Sequence, residues 1–390
     1  MENKPIKRLA IVTTHPIQYN APLFTMLAER QRIAVKVFYT WGEDVLQNKY
    51  DPGFNKAIEW DIPLLKGYDY MFLDNIALRK GSHHFRGIDN PGLISEIQKW
   101  NADAILVYGW SFKSHLKVMR YFHGKMPVLF RGDSVALQRM PGLKRLLRLC
   151  VLKWVYGNVD FALYVGTNNK HYFKTHGLKE NQLIFAPHAI DNERFRAGSS
   201  NTHLKEMDLW KQSLGISTAG MIFLYAGKID ENKNVHLLAE AFSMLNKKDV
   251  HLIIAGDGLN KMQLEKKYEG NRNIHFLPFQ NQSQMPLLYG LADVFVLPSL
   301  AETWGLVINE AMACAKAVLV SSGCGAAIDL VKSGDNGYIF KSNNLEDLHN
   351  KLFGLVDDAE KVKEMGVRSA IFIKKWDYHT TCQAIEKLLK

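Results

Sequence analysis

Cysteine is scarce in this chain and scattered. Cys150, Cys314, Cys324 and Cys382 form no C-x-x-C pair and no metal-ligand spacing, which argues against a disulfide framework or a cysteine metal centre. Each falls in an apolar or helical context, so all four read as reduced core thiols in a cytoplasmic setting. Long apolar runs are also missing: none approaches the roughly 20 residues that a spanning helix needs. The basic opening from Lys4 to Arg8 runs straight into RLAIVT, and this run is too short for a signal core. The expectation is a soluble or peripheral protein. There is no short repeat, no low-complexity tract and no interleaved aromatic-basic motif, so nucleic acid is not an expected partner.

What is present is an ordinary globular balance, 47% apolar and 23% charged, spread over 390 residues. That length is too great for one core and predicts two domains. The formal charge is +10, and all of the excess lies in the first half. Residues 1–195 hold 27 Lys/Arg against 17 Asp/Glu, whereas 196–390 hold 22 against 22. An acidic partner is therefore expected for the first half alone.

Strand patterns alternate with helical ones throughout, which predicts an α/β protein with parallel sheets covered on both faces. RLAIVT, AVKVFY, AILVYG, PVLFRG and DFALYVG read as buried strands of the first half, with helices at Pro22 to Arg32 and Lys113 to Phe122. Trp41 to Asn90 is irregular. MIFLYAG, VHLIIAG, NIHFLPF, DVFVLP and AVLVSS repeat the alternation in the second half. The boundary is expected between Asp191 and Gly215, where no apolar period is sustained and Gly198-Ser199-Ser200-Asn201 signals a loop. This divides the chain into 1–195 and 196–375, two doubly wound domains facing a cleft, with a tail helix in 376–390 that crosses back onto the first.

The segment from Pro298 to Ser322 carries the most chemistry. A short strand ends at Pro298, a polar loop carries Glu302, and Gly305 opens a helix with Glu310 on its second turn. Such a joint presents unpaired N–H groups and the positive end of a helix dipole, which suits a phosphate. The two flanking carboxylates suit sugar hydroxyls. Together they imply an enzyme handling a nucleotide-activated sugar.

From Met221 to Phe340 the chain resembles the second domain of retaining glycosyltransferases of family 4, which have the GT-B fold. The resemblance rests on YAGKIDENKN, IIAGDG, FLPF, ADVFVLPS, the E-x7-E pair and NGYIF, in that order. In the first half only APHAIDNERF is similar to a family phrase. The resemblance implies that Lys228 and Lys233, beyond Gly227, grip the donor diphosphate. Cations fixed there stabilise the charge that develops on the leaving group. Lys228 stands where Arg is more common, so a bidentate fork becomes a point charge. Glu310 is implied as the ribose contact and Glu302 as a neighbour of the reacting carbon. Amides of Thr303, Trp304, Gly305 and Leu306 would hold the distal phosphate, and Phe279 and Gln280 would lie near the base. No D-x-D sequence occurs, so no metal or other cofactor is expected.

The first half departs from the family. The loop THPIQYNAP has no glycine and instead crowds His15, Gln18, Tyr19 and Asn20 behind a buried strand. These read as acceptor-side residues, or as a turn satisfied locally. Arg131 stands where relatives often carry His, which leaves it as a partner for phosphate or an acidic sugar and Asp133 as an acceptor contact.

Met140 to Gly157 is helical by pattern, with Lys144, Arg145 and Arg148 on one face and Leu143, Leu147, Cys150 and Trp154 on another. It reads as a buried helix with a solvated basic side, or as an interfacial helix on anionic lipid at the inner face of a membrane. The expected function is a retaining transfer of a hexosyl or N-acetylhexosaminyl group, most naturally UDP-linked. The acceptor would be a glycan or lipid-linked hydroxyl in cell-surface polysaccharide synthesis. The alternatives are a nucleotide-sugar 2-epimerase and a non-catalytic sugar-nucleotide-binding protein.

Overall fold

The computed structural model describes residues 6–43, 50–51, 54, 56–136, 142–198 and 203–390. The expectations placed on Lys4, on Met140 and on the loop signal at 199–201 lie outside the described residues. Two parallel sheets organise the chain. The first holds β1 (Arg8–Thr13), β2 (Ala34–Tyr39), β3 (Asp69–Phe72), β4 (Ala104–Tyr108), β5 (Val128–Arg131), β6 (Phe161–Tyr164) and β7 (Leu183–Phe185), in the order β3-β2-β1-β4-β5-β6-β7. The second holds β8 (Met221–Lys228), β9 (Val250–Asp257), β10 (Ile274–Leu277), β11 (Val294–Leu297), β12 (Ala317–Ser321) and β13 (Gly337–Phe340), in the order β10-β9-β8-β11-β12-β13.

Both orders are doubly wound. Each reverses direction beside its first strand, between β1 and β4 and between β8 and β11, and such a switch opens a crevice at the carboxyl ends of the strands. The central strands are apolar on both faces because helices cover both. Leu9 to Val12 and Val294 to Val296 have no exposed surface. Burying side chains of this size contributes about 1.5–3 kcal/mol each. The two outer strands of the first sheet escape the sequence reading. β3 is mostly exposed or half-buried and β7 is three residues long, so neither carries the continuous apolar run of a buried strand.

The chain divides into two compact units. The first comprises Met1–Lys49, Pro63–His188 and Tyr378–Lys390; the second comprises Tyr50–Ile62 and Ala189–Asp377. The first unit therefore ends seven residues before the expected boundary at 195, and 50–62 joins the second. The stretch after Asp191, where no apolar period is sustained, is helical over much of its described length. It forms helices Asn192–Gly198 and Leu204–Ser213, anchored by buried Phe195 and Met207 respectively. One buried residue per helix leaves no period to read.

In the first unit, helix Tyr378–Leu388 packs on helix Ala21–Glu29. Buried Glu386 takes Arg30 Nε at 2.5 Å and Arg32 at 3.1 Å, and the bond from Arg30 holds its carboxyl below the usual range.

Helix Gly142–Tyr156 overturns the buried-face reading. It buries Leu152, Val155 and Tyr156, while Leu143 is 74% exposed, with Leu146, Leu147, Val151 and Trp154 also in water. Cys150 is exposed, which corrects its assignment to a core; the other three cysteines are buried.

Candidate functional site

At the switch point of the second unit, the loops after β8 and β11 are stitched together. Asn232 Nδ2 donates to the Ala301 carbonyl at 2.8 Å, and the Leu300 amide donates to the Asn232 carbonyl at 2.8 Å. The Lys233 amide donates to Asp230 Oδ1 at 2.9 Å, turning the chain into helix Val235–Ser243. This tight turn delivers Lys233 Nζ to Glu302 Oε1 as an ion pair. Ser299 Oγ donates to the same carboxylate oxygen at 3.1 Å. Lys233 and Glu302 keep 21% and 15% of their side-chain surface, so the pair is sheltered but reachable. Tyr225, buried beneath, donates its hydroxyl to the Lys228 carbonyl, and burial pushes that hydroxyl's pKa well up.

Gly305 has φ +99°, and a β-carbon there would sit 3.0 Å from Leu297. Only glycine takes this left-handed corner without strain. It opens helix Leu306–Ala313, whose N-terminus carries no side-chain cap. The loop holding Glu302 and Thr303 makes an isolated parallel bridge to Cys324, with the Gly325 amide donating to the Glu302 carbonyl at 3.0 Å. A β-carbon on Gly325 would meet the Thr303 carbonyl at 2.0 Å, so this close approach also requires glycine.

Trp304 is packing. It is 3% exposed, its indole N–H donates to Asn309 Oδ1 at 3.0 Å, and its ring lies 5.2 Å from that of Trp376. Glu310 is 1% exposed, and the Tyr289 hydroxyl donates to its Oε2 at 2.8 Å. It is therefore not a solvated helical residue.

Phe279 follows β10 with Gln280, whose side chain donates to the Pro278 carbonyl at 3.0 Å. The segment 50–62, which includes an antiparallel ribbon (Tyr50–Asp51 with Lys56–Ala57), packs beside them. Phe54 meets Phe279 edge-on at 5.0 Å between centroids, and Trp60 lies 6.2 Å from Phe279. Lys228 Nζ stands 5.1 Å over the Phe54 ring. Asn281 Nδ2 donates to the Glu59 carbonyl at 2.7 Å, and the Ser283 amide donates to Asp61 at 3.1 Å. The structure thus gathers Lys233 with Glu302, and Lys228 with Phe54, which in turn meets Phe279, around the carboxyl ends of β8, β10 and β11.

The first unit's residues sit at the carboxyl end of its own sheet. His15 Nδ1 pairs with Thr14 Oγ1 at 2.9 Å, and its ring meets Trp41 edge-on at 5.1 Å. Gln18 Oε1 is buried with no hydrogen-bond partner. Tyr19 offers its carbonyl to the Tyr378 hydroxyl at 3.0 Å, and Asn20 leads into helix Ala21–Glu29 without capping it by its side chain.

Arg131 departs from the expectation of an anion contact. It is buried, and its guanidinium donates to the carbonyls of Ala186 at 2.9 Å and Pro187 at 3.0 Å. Asp133 lies 3.9 Å from His188. His115, which sequence reading passed over, is fully buried. Its Nδ1 faces the Gly109 carbonyl at 2.9 Å and its Nε2 faces Thr40 Oγ1 at 2.9 Å. Burial lowers its pKa to about 4, so it is a neutral brace at the switch point. Ser299 and Tyr289, which donate to Glu302 and Glu310, and Asn232, which ties down the loop at Leu300 and Ala301, were also missed, since nothing in their local sequence marks those contacts.

Among the described residues, no group of three His, Cys, Asp or Glu side chains is placed to hold a metal ion, and no helix is long and apolar enough to cross a membrane.

Residues 206–370 match the family described as glycosyl transferases group 1. The chain is 25% identical over 227 residues to N,N'-diacetylbacillosaminyl-diphospho-undecaprenol alpha-1,3-N-acetylgalactosaminyltransferase of Campylobacter jejuni. That alignment spans 58% of this chain and 59% of the relative, so the chain spans less than two thirds of the curated relative it matches. Sucrose-phosphate synthase from Thermosynechococcus elongatus superposes over 98% of both chains, with a TM-score of 0.74 and 17% identity. HepE of Anabaena, solved in complex with UDP, superposes with a TM-score of 0.71 and 16% identity over 98% of this chain and 99% of its own. The whole chain therefore has the GT-B fold of two Rossmann-like units, and its residues 206–370 match group 1 glycosyl transferases.

Proposed function

We propose that the protein is a retaining glycosyltransferase that moves a hexosyl or N-acetylhexosaminyl group from a nucleotide diphosphate sugar, UDP-linked by preference, to a hydroxyl of a glycan or lipid-linked acceptor. The observation that carries this reading is the Lys233–Glu302 pair at the switch point, with the uncapped helix Leu306–Ala313 alongside. Lys228, Lys233 and the amides from Thr303 to Leu306 take the diphosphate, whose charge rises as the glycosidic bond breaks. Glu302 receives the sugar, Glu310 the ribose, and Phe279 and Gln280 the base. No metal takes part: two ammonium groups and a helix terminus supply the positive field. The departing phosphate accepts the proton of the incoming hydroxyl on the same face.

The first unit supplies the acceptor contacts, from His15, Gln18, Tyr19, Asn20 and Asp133. Its exposed helix, where Lys144, Arg145 and Arg148 stand among bare leucines, rests on an anionic lipid surface during cell-surface polysaccharide synthesis. A thermal-shift panel of nucleotide sugars tests the donor, since ligand binding raises the melting temperature by mass action. The stabilising donor should then release nucleoside diphosphate slowly alone and faster with acceptor. Epimerised donor without that release would overturn the transferase reading.

A further inference from the structure

Residues 50–62 lie outside the 206–370 match, yet they pack as part of the second unit. They bring Phe54 and Trp60 to Phe279, and all three rings remain partly in water. Lys228 stands at the Phe54 ring. Aromatic rings left half in water beside a lysine match a planar heteroaromatic ring joined to phosphate, because every base has a π-face and every phosphate seeks a cation. The segment is tied down immediately next to Phe279, by Asp61 on the Ser283 amide and by Asn281 on the Glu59 carbonyl. Its rings are thus held in register with Phe279.

We infer that Phe54 and Trp60 form part of the base-binding surface of the donor site, so that a nucleoside diphosphate lays its base against the Phe54–Phe279–Trp60 patch and turns its phosphates toward Lys228. This inference rests on the donor reading above and adds to it residues that the family match does not cover. Phe54 then acts on binding of the nucleoside rather than on the phosphates.

Calorimetric titration of the full chain with UDP, ADP and GDP, and separately with inorganic pyrophosphate, tests it. Phe54→Ala should weaken the best-bound nucleoside diphosphate about 5- to 100-fold, the range expected for loss of one stacking ring. Pyrophosphate binding should stay within about twofold, and Phe54→Tyr should restore nucleotide affinity. A thermal melt of each variant separates misfolding from loss of contact. Unchanged or tighter nucleotide binding by Phe54→Ala would overturn the inference alone, as would an equal loss for pyrophosphate. If the unaltered chain binds none of the three nucleotides, the donor reading falls and this inference falls with it.

Discussion

Lys233 and Glu302, 69 residues apart in sequence, meet as an ion pair where the second sheet reverses its strand order. A carboxylate in that position orients the ammonium and lowers the cost of leaving it half-buried. Lys233→Ala should reduce donor-dependent release of nucleoside diphosphate about 100-fold, the scale for losing one preorganised charge partner, with little change in nucleotide affinity. Glu302→Gln should slow turnover as well. Steady-state kinetics equal to the unaltered protein in both variants would remove the assignment.

Glu310 and Tyr289 make a buried hydrogen bond, so the two residues separate binding from stability. Tyr289→Phe leaves a buried carboxylate short of a donor and should destabilise the fold by about 1–3 kcal/mol, read as a lower urea midpoint. Glu310→Ala should weaken nucleoside diphosphate binding beyond any change in stability. An affinity within twofold of the original would take the ribose role away from Glu310.

Arg131 is predicted to act through the backbone carbonyls of Ala186 and Pro187 rather than through a ligand. Arg131→Met should cost about 3 kcal/mol, the scale for losing charge-assisted bonds that leave buried acceptors unmatched. Unfolding at the original denaturant concentration would show that the guanidinium is not a structural tie.

Acid should weaken the protein between pH 6.5 and about 4. Burial lowers His115 and His275 from 6.5 to about 4, and it lowers His251 beside His275. Below pH 6.5 the unfolded chain takes up protons that the folded chain refuses, so stability falls as pH falls and is fully present above 6.5. His115 alone accounts for on the order of 3 kcal/mol across that window. His115→Asn should lower stability at pH 7 and flatten the slope between pH 6.5 and 4. An unchanged slope in a pH series of urea melts would show that His115 does not titrate there.

The exposed helix Gly142–Tyr156 should bind anionic vesicles. Changing Lys144, Arg145 and Arg148 together to Gln should weaken sedimentation with phosphatidylglycerol vesicles by more than tenfold, at about 1 kcal/mol per basic residue. Identical sedimentation at moderate salt would reject a lipid role for this face.

The inner strands were legible because a strand covered on both faces must be apolar throughout, as in MIFLYAG and DVFVLP. Glu302 and Glu310 were legible as candidates by their place around a strand-to-helix joint, and Lys228 and Lys233 by resemblance to a family pattern. Their partners were not. Ser299 lies in the loop of Glu302 itself but carries no mark of its bond to it, Asn232 reaches that loop only through folding, and Phe54 arrives from a part of the chain more than 170 residues earlier. Edge strands such as β3 hide because half their surface faces water. Helix Gly142–Tyr156 misled because its spacing looks amphipathic, yet the leucines on its apolar side are those left uncovered.

The second unit is discontinuous in sequence, since 50–62 must travel from the other half of the chain to complete it. Domain exchange among such proteins therefore has an unexpected inheritance. A chimera cut near residue 189 takes its lysines and glutamates from one parent, but Phe54, Trp60 and Asp61 from the other. Grafting the ribbon along with the downstream half would keep that unit's own packing intact.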